Sequence, residues 1–354
     1  MLRSTLLLCA CLLAAGFPAW PGPSASLAAH LVAPGGTSPL LPADRIEAAL
    51  ARLPDRSGRV VTGSGARVFW RAIDPGDYGV RTRWPAGRTH DAFPDIQFEV
   101  PAAPAPPPRG TVVLLHGWMM TGDSLLPWAL RLGEAGYRTV SIDLRNHGRS
   151  DAAPVGYGTR EARDVVEVVD ALRARGEIVG PLHLLGVSYG AATAVFAAAD
   201  PRLGAERVVA LESFAVAGTA IRDMVPHMLQ SAPAGWSERL ARRWMQWRMD
   251  DAALDAAVAE AGAILDLPLD AVDVGAALAR VPCPLLVHGG ADRHVPVAHG
   301  RALAAAAPHA RYLEIAGESH LSLPMRLDLL APVVVDWFDR PACPGDVLAE
   351  HRLD

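Results

Sequence analysis

Short apolar runs alternate with longer amphipathic stretches along most of the chain, as expected where strands alternate with helices. Residues 68–73 read as a first strand and 96–100 as a second. Between them, Pro-Gly, Tyr-Gly and Pro-Ala-Gly turns mark a long connection over 74–94. Residues 111–115 form a continuous β-branched and apolar run, which predicts a buried strand. A helix is expected over 123–134, stopping at Gly136, then a strand over 138–142. Residues 159–175 carry helical spacing, with Val165, Val168, Val169 and Leu172 on one face. Further strands are expected at 182–187, 208–211, 285–288 and 311–315, and helices at 191–199, 299–307 and 325–338. This alternation predicts an α/β fold with a mostly parallel sheet covered by helices on both faces.

One block breaks the alternation. Residues 214–279 hold no good strand and have amphipathic helical spacing, so they are expected to form an inserted helical lid. Trp236, Trp244, Trp247, Met224, Met228 and Met245 fall there and read as lid core. An apolar lid surface over a cleft suits a hydrophobic acyl or alkyl group. The core is then expected over 65–213 and 280–340, with a tail at 341–354. The Pro- and Ala-rich run 101–108 reads as a rigid loop rather than a domain linker.

The N-terminus changes the picture. Residues 1–28 look like a targeting segment: Arg3 gives a positive start, 5–15 are almost wholly apolar, and Ser24-Ala25-Ser26 supplies small residues. Cleavage after Ser26 or Ala28 fits, so an exported protein is expected. Lipidation at Cys9 or Cys11, or an uncleaved anchor, are the alternatives, although the apolar core is short for a membrane span. Residues 29–64 read as a loosely structured lead-in with one short helical pattern near 46–53.

Composition narrows the chemistry. A formal charge of −5 over 354 residues, with no basic stripe, does not suit a nucleic-acid partner. Lysine is absent and all 33 basic residues are arginine, which removes Schiff-base chemistry, Ser–Lys dyads and the phosphate-binding P-loop. No C-x-x-C or H-E-x-x-H occurs, so no metal or cofactor is indicated. Past the leader only Cys283 and Cys343 remain; they read either as a disulfide or as two separate thiols.

The sharpest signal is Gly186-Val187-Ser188-Tyr189-Gly190, placed between a predicted strand and a small-residue helix. In that context G-x-S-x-G is a nucleophile elbow. The turn presents Ser188 Oγ at the sheet edge, and the glycines are needed where a Cβ would meet the neighbouring strand or helix. The Tyr189 N–H, at a helix start, faces any oxyanion formed beside Ser188.

With its companion motifs the chain resembles the α/β-hydrolase superfamily over roughly residues 65–340. His116-Gly117-Trp118 closes a long buried strand, residues 143–150 (DLRNHGRS) follow the next, and Gly289-Gly290-Ala291-Asp292 and Gly317-Glu318-Ser319-His320 end the last two. The order Ser, Asp, His is that of the family. The resemblance implies Ser188 as nucleophile, His320 as its base, Asp292 as the acid behind His320, and the backbone N–H groups of Trp118 and Tyr189 as the oxyanion hole. Glu212 is the alternative acid, since some relatives place theirs after the preceding strand; a buried salt bridge to a lid arginine accounts for it equally well. Among the other histidines, His183 and His288 read as core, His147 as structural, and His116 as the brace of the oxyanion loop. His294 and His299 come too soon after Asp292 to fit the pattern.

A serine nucleophile implies acyl transfer, and the first expectation is cleavage of a carboxylic ester through an acyl-enzyme. A peptidase or amidase would use the same groups, with Glu212, Asp250 or Asp251 holding a substrate amine. An acyltransferase differs only in its acceptor. A binding protein that merely kept the fold would be expected to lack a triad member, and all three residues are in place.

Overall fold

The computed structural model describes residues 23–34, 43–86, 94–99, 106–230, 249–343 and 351–353. Helices α1 (Pro23–Val32) and α2 (Ala43–Leu50) precede strands β1 (Asp55–Val61) and β2 (Arg67–Ile73). Next come β3 (Arg81–Arg83), β4 (Asp95–Gln97), β5 (Thr111–Leu115), α3 (Leu126–Glu134), β6 (Arg138–Ile142), α4 (Thr159–Ala174), β7 (Leu182–Val187), α5 (Tyr189–Ala198) and β8 (Arg207–Leu211). The inserted block contributes α6 (Ala217–Gln230), α7 (Asp251–Leu265) and the short α8 (Val274–Leu278). The chain then returns through β9 (Pro284–Gly289), α9 (Ala298–Ala306), β10 (Arg311–Ile315), α10 (Leu327–Asp339) and β11 (His351–Leu353).

Nine strands form one sheet in the order β1-β2-β6-β5-β7-β8-β9-β10-β11. The β1–β2 and β2–β6 pairs are antiparallel, and from β6 to β11 every pair is parallel. Strands β5, β7, β8 and β9 are buried along their whole length. This is why they read as unbroken apolar runs: each side chain faces one helical layer or the other. Val113, Leu115 and Leu184 pack with α4 and α5, whereas Val112, Leu114 and Leu185 pack with α3 and α10.

Two expectations need correction. The described part of residues 29–64 is not a loose lead-in: it includes α2, and β1 pairs with β2 from Asp55↔Ile73 to Val61↔Arg67. The polar and glycine-bearing DRSGRVV run of an edge strand lacks the apolar continuity that marks the inner strands. The proposed boundary at residue 28 falls inside α1, where Ala28 and Leu31 are buried. The second predicted strand does not join the main sheet, because β4 pairs only with β3, from within the expected connection, in a separate ribbon. Trp236, Trp244, Trp247 and Met245 lie outside the described residues, as does most of the 101–108 run.

Cys283 and Cys343 are joined as a disulfide with Cα atoms 5.4 Å apart, tying the entry to β9 to the segment after α10. No described helix is long and apolar enough to cross a membrane.

Candidate active site

The parallel strands point their C-terminal ends to one edge, where open α/β sheets collect their functional groups. Trp118 lies just beyond β5, Ser188 follows β7, Glu212 follows β8, and Asp292 and His320 lie in the loops after β9 and β10. Adjacent strands thus deliver five residues that are far apart in the chain.

Backbone sterics shape the elbow. Ser188 has φ 53° and ψ −112°, outside the ordinary regions for a residue with a side chain. Its N–H donates to Leu211 O at 2.8 Å, which pins the turn to β8. A Cβ on Gly190 would lie 2.1 Å from Leu115 O, and one on Gly186 would lie 2.2 Å from Gly190 O. Helix α5 therefore crosses strand β5 in contact that only glycine permits, and Ser188 Oγ is thrust out above the sheet.

His320 Nε2 is 3.0 Å from Ser188 Oγ, and His320 Nδ1 is 2.7 Å from Asp292 Oδ2. With Nδ1–H donating to the carboxylate, Nε2 is left to accept the serine proton. The other Asp292 oxygen, Oδ1, accepts from the His294 and Val295 N–H groups at 2.8 and 2.9 Å. Burial alone would raise the Asp292 carboxyl. The imidazoles of His320 and His288 beside it outweigh burial and hold it well below the usual carboxylate range.

Glu212 is the second carboxyl at the same imidazole. It is fully buried, takes φ 55°, and its Oε2 lies 3.5 Å from His320 Nδ1. Burial and then the Asp292 charge push it well above the usual range. Two carboxyls this close do not both ionise readily, so the proton is favoured on Glu212 and the charge on Asp292. The structure brings Glu212 to His320, and the arginine partner entertained from sequence is not found among the described residues. Asp250, another of the three acids considered for a substrate amine, caps α7 by accepting from Ala253 N–H at 2.8 Å, a local structural use.

The loop after β5 is braced from within. His116 donates through Nδ1 to Gly117 O at 2.8 Å and accepts the Leu144 N–H at Nε2, 3.0 Å away. Burial pushes its pKa down to about 4, so the ring is neutral, as this pair of bonds requires. Gly117 abuts the elbow, since a Cβ there would lie 3.7 Å from Ser188 Cβ. Tyr189 opens α5, so its N–H is among the donors that a helix start leaves without an intrahelical partner.

The 143–150 turn is scaffold. Asp143 accepts from the Gly122 and Arg149 N–H groups at 2.7 and 2.8 Å, and Arg145 forks onto both oxygens of buried Asp164 at 2.7 Å each. His147 donates from Nδ1 to Arg145 O, and its ring meets Trp118 edge-on with centroids 5.6 Å apart.

Above Ser188 lies a cavity of about 50 Å³ lined by Leu31, Trp118, Tyr157, Phe214, Ala217, Ala220, Ile221, Met224 and Val295, with Tyr189 at its base. Sequence reasoning missed four neighbours of the site. His288, assigned to the core, sits 3.4 Å from Asp292 Oδ2 while its Nε2 donates to Val295 O at 2.8 Å. His294 lies tilted against His320 with ring centroids 5.4 Å apart. Its position two residues after Asp292 was the available signal. Leu31 and Tyr157 carried none.

The sequence profile of the alpha/beta hydrolase family matches residues 112–333, which is most of the chain and includes every strand that bears a site residue. The chain belongs to the alpha/beta hydrolase family. Among solved structures, the Pyrococcus furiosus esterase Pf2001 aligns with a TM-score of 0.60 at 15% identity, covering 87% of this chain and 97% of the esterase. The enol-lactonase of Burkholderia xenovorans LB400 aligns at 0.50 with 21% identity, covering 80% of this chain and all of the lactonase. At these identities the likeness concerns the fold. A non-heme chloroperoxidase of Streptomyces lividans is 29% identical over 122 residues, which is 34% of this chain and 33% of that protein. The chain spans about a third of the length of the curated relatives it matches. The arrangement here can take a proton from Ser188 onto His320 and hold the resulting imidazolium against Asp292.

Proposed function

We propose that this hydrolase cleaves carboxylic esters through an acyl-enzyme formed on Ser188. The supporting observation is the unbroken relay from Ser188 Oγ to His320 Nε2 at 3.0 Å and from His320 Nδ1 to Asp292 Oδ2 at 2.7 Å. Ser188 Oγ attacks the acyl carbon while His320 takes its proton. The tetrahedral oxyanion is received by the Trp118 and Tyr189 N–H groups, each donor worth about 3 kcal/mol. His320 then protonates the leaving alkoxide, and a water, deprotonated by the same ring, releases the acid. Asp292 fixes the tautomer and stabilises the imidazolium. The apolar lining over Ser188 supports an acyl group as the part of the substrate that is buried. We further propose that the protein acts outside the cytoplasm; the leader-like start and the Cys283–Cys343 disulfide support that reading.

Hydrolysis of p-nitrophenyl esters by the wild type and Ser188→Ala tests this reading. The expected result is a loss of about 10⁴-fold or more in kcat, since removing a triad nucleophile leaves only binding and the oxyanion donors. Full turnover by Ser188→Ala would overturn it. A wild type that cleaves no ester yet is labelled at Ser188 by a serine-reactive phosphonate would redirect the assignment to amides or to acyl transfer.

A further inference from the structure

The N-terminal helix α1 is packed into the fold at the active site. Ala28 is fully buried and Leu31 is 4% exposed, both within the same core cluster as Tyr189, Leu254 and Val258. The helix lies along α7 of the inserted block. Its C-terminal end is tied to the catalytic half by Tyr157, whose hydroxyl donates to Leu31 O at 2.8 Å. Tyr157 in turn stacks on Trp118 with centroids 5.3 Å apart and planes 22° apart, and it meets Tyr189 edge-on at 6.0 Å. A continuous line of contact therefore runs from the N-terminal segment to both residues that supply the oxyanion donors. Leu31 itself forms part of the wall of the cavity over Ser188.

Resting on the esterase reading, we propose that Leu31 is a specificity-determining residue that sets the length of acyl chain accepted at Ser188, with Tyr157 as its positioning residue. The cavity of about 50 Å³ is small, and of its lining residues Leu31 is the one that comes from the N-terminal helix. Leu31 arrives on a separate segment, so a change there alters pocket depth without touching Ser188, His320 or Asp292.

The test is the rate at which p-nitrophenyl alkylphosphonates, from ethyl to octyl, inactivate the full chain, alongside kcat/KM for the matching esters. Phosphonylation needs no turnover. Leu31→Ala is expected to raise the octyl-to-ethyl ratio about tenfold, and Leu31→Trp to lower it by a similar factor, the discrimination that a methylene or more of pocket space provides. Tyr157→Phe, which removes the tether and keeps the ring, is expected to flatten the length preference and covers the case in which the tryptophan variant does not fold. Labelled Ser188 with superposable length profiles in all variants would overturn the role of Leu31 alone. Failure of every phosphonate to label the wild type would overturn the serine reading, and this inference with it.

Discussion

The floor and the roof of the site are built on different principles. On the floor, Ser188, Glu212, Asp292 and His320 follow neighbouring strands, and each is fixed by hydrogen bonds or by backbone geometry that few residues tolerate. The roof comes from α1 and α6, segments about 200 residues apart in the chain, and meets the cavity through Leu31, Ala217, Ala220, Ile221 and Met224. Those side chains are positioned by apolar packing, which fills space without demanding a particular atom at a particular place. A floor substitution that alters the rate should therefore alter it for every substrate, and substitutions in the roof should change which substrate is preferred.

The largest effect that sharpens this contrast is expected at the two carboxyls. Loss of a triad acid alone costs on the order of 10⁴ in kcat when nothing replaces it. Here Glu212 Oε2 stands 3.5 Å from the same His320 Nδ1, protonated in part because Asp292 is charged. Removing that charge lets Glu212 ionise and orient the ring. Asp292→Ala should lose about 10²-fold in kcat, and Asp292→Ala with Glu212→Gln should lose about 10⁴-fold, with Glu212→Gln alone close to wild type. Steady-state kinetics of the three variants decide it. Equal rates for the single Asp292 variant and the double variant would show that Glu212 does not substitute.

The same contrast explains what could be read from the chain before its fold was known. Gly186, Gly190 and Ser188 were legible because the elbow leaves backbone atoms only about 2 Å from where a Cβ would go, so composition there is forced. The inner strands were legible because burial on both faces leaves no polar position. His288 was placed in the core correctly but its contact with Asp292 was not, because a strand pattern gives the facing and not the neighbour. Strand β1 carries no clear signal because an edge strand can be polar, and an apolar, small-residue segment such as α1 has the same composition whether it is cleaved or packed. The wall formed by Leu31 depends on a contact with Tyr157 across 126 residues, and no local spacing encodes it.

A smaller effect separates the two acids by their response to pH. Asp292 is held below its ordinary range, so it contributes stability that is present above the unfolded carboxylate pKa of about 4 and is lost as the pH falls. Glu212 is held above its range, so the unfolded chain releases a proton that the folded chain retains. Its burial therefore costs increasing stability as the pH rises past about 4.3. Glu212→Gln should gain stability over wild type as the pH is raised from 4 toward neutrality, by an amount on the order of 1–3 kcal/mol. Urea unfolding across that range gives the difference directly, and a difference independent of pH would mean that Glu212 is ionised in the fold.

The smallest change belongs to the roof. Ile221 is 2% exposed on α6 and lines the cavity. Ile221→Val removes one methyl group, costing about 0.5–1.5 kcal/mol of stability. It leaves Ser188, His320 and Asp292 and the hydrogen bonds between them in place, so kcat for a short ester should stay within about twofold of wild type. The KM for an ester one methylene longer should fall several-fold, because the space released is that of the added group. The floor-and-roof division requires the two parameters to separate in this way. If Ile221→Val instead lowered kcat equally for all chain lengths, α6 would be holding the reacting groups themselves, and the roof would have to be counted as part of the catalytic apparatus.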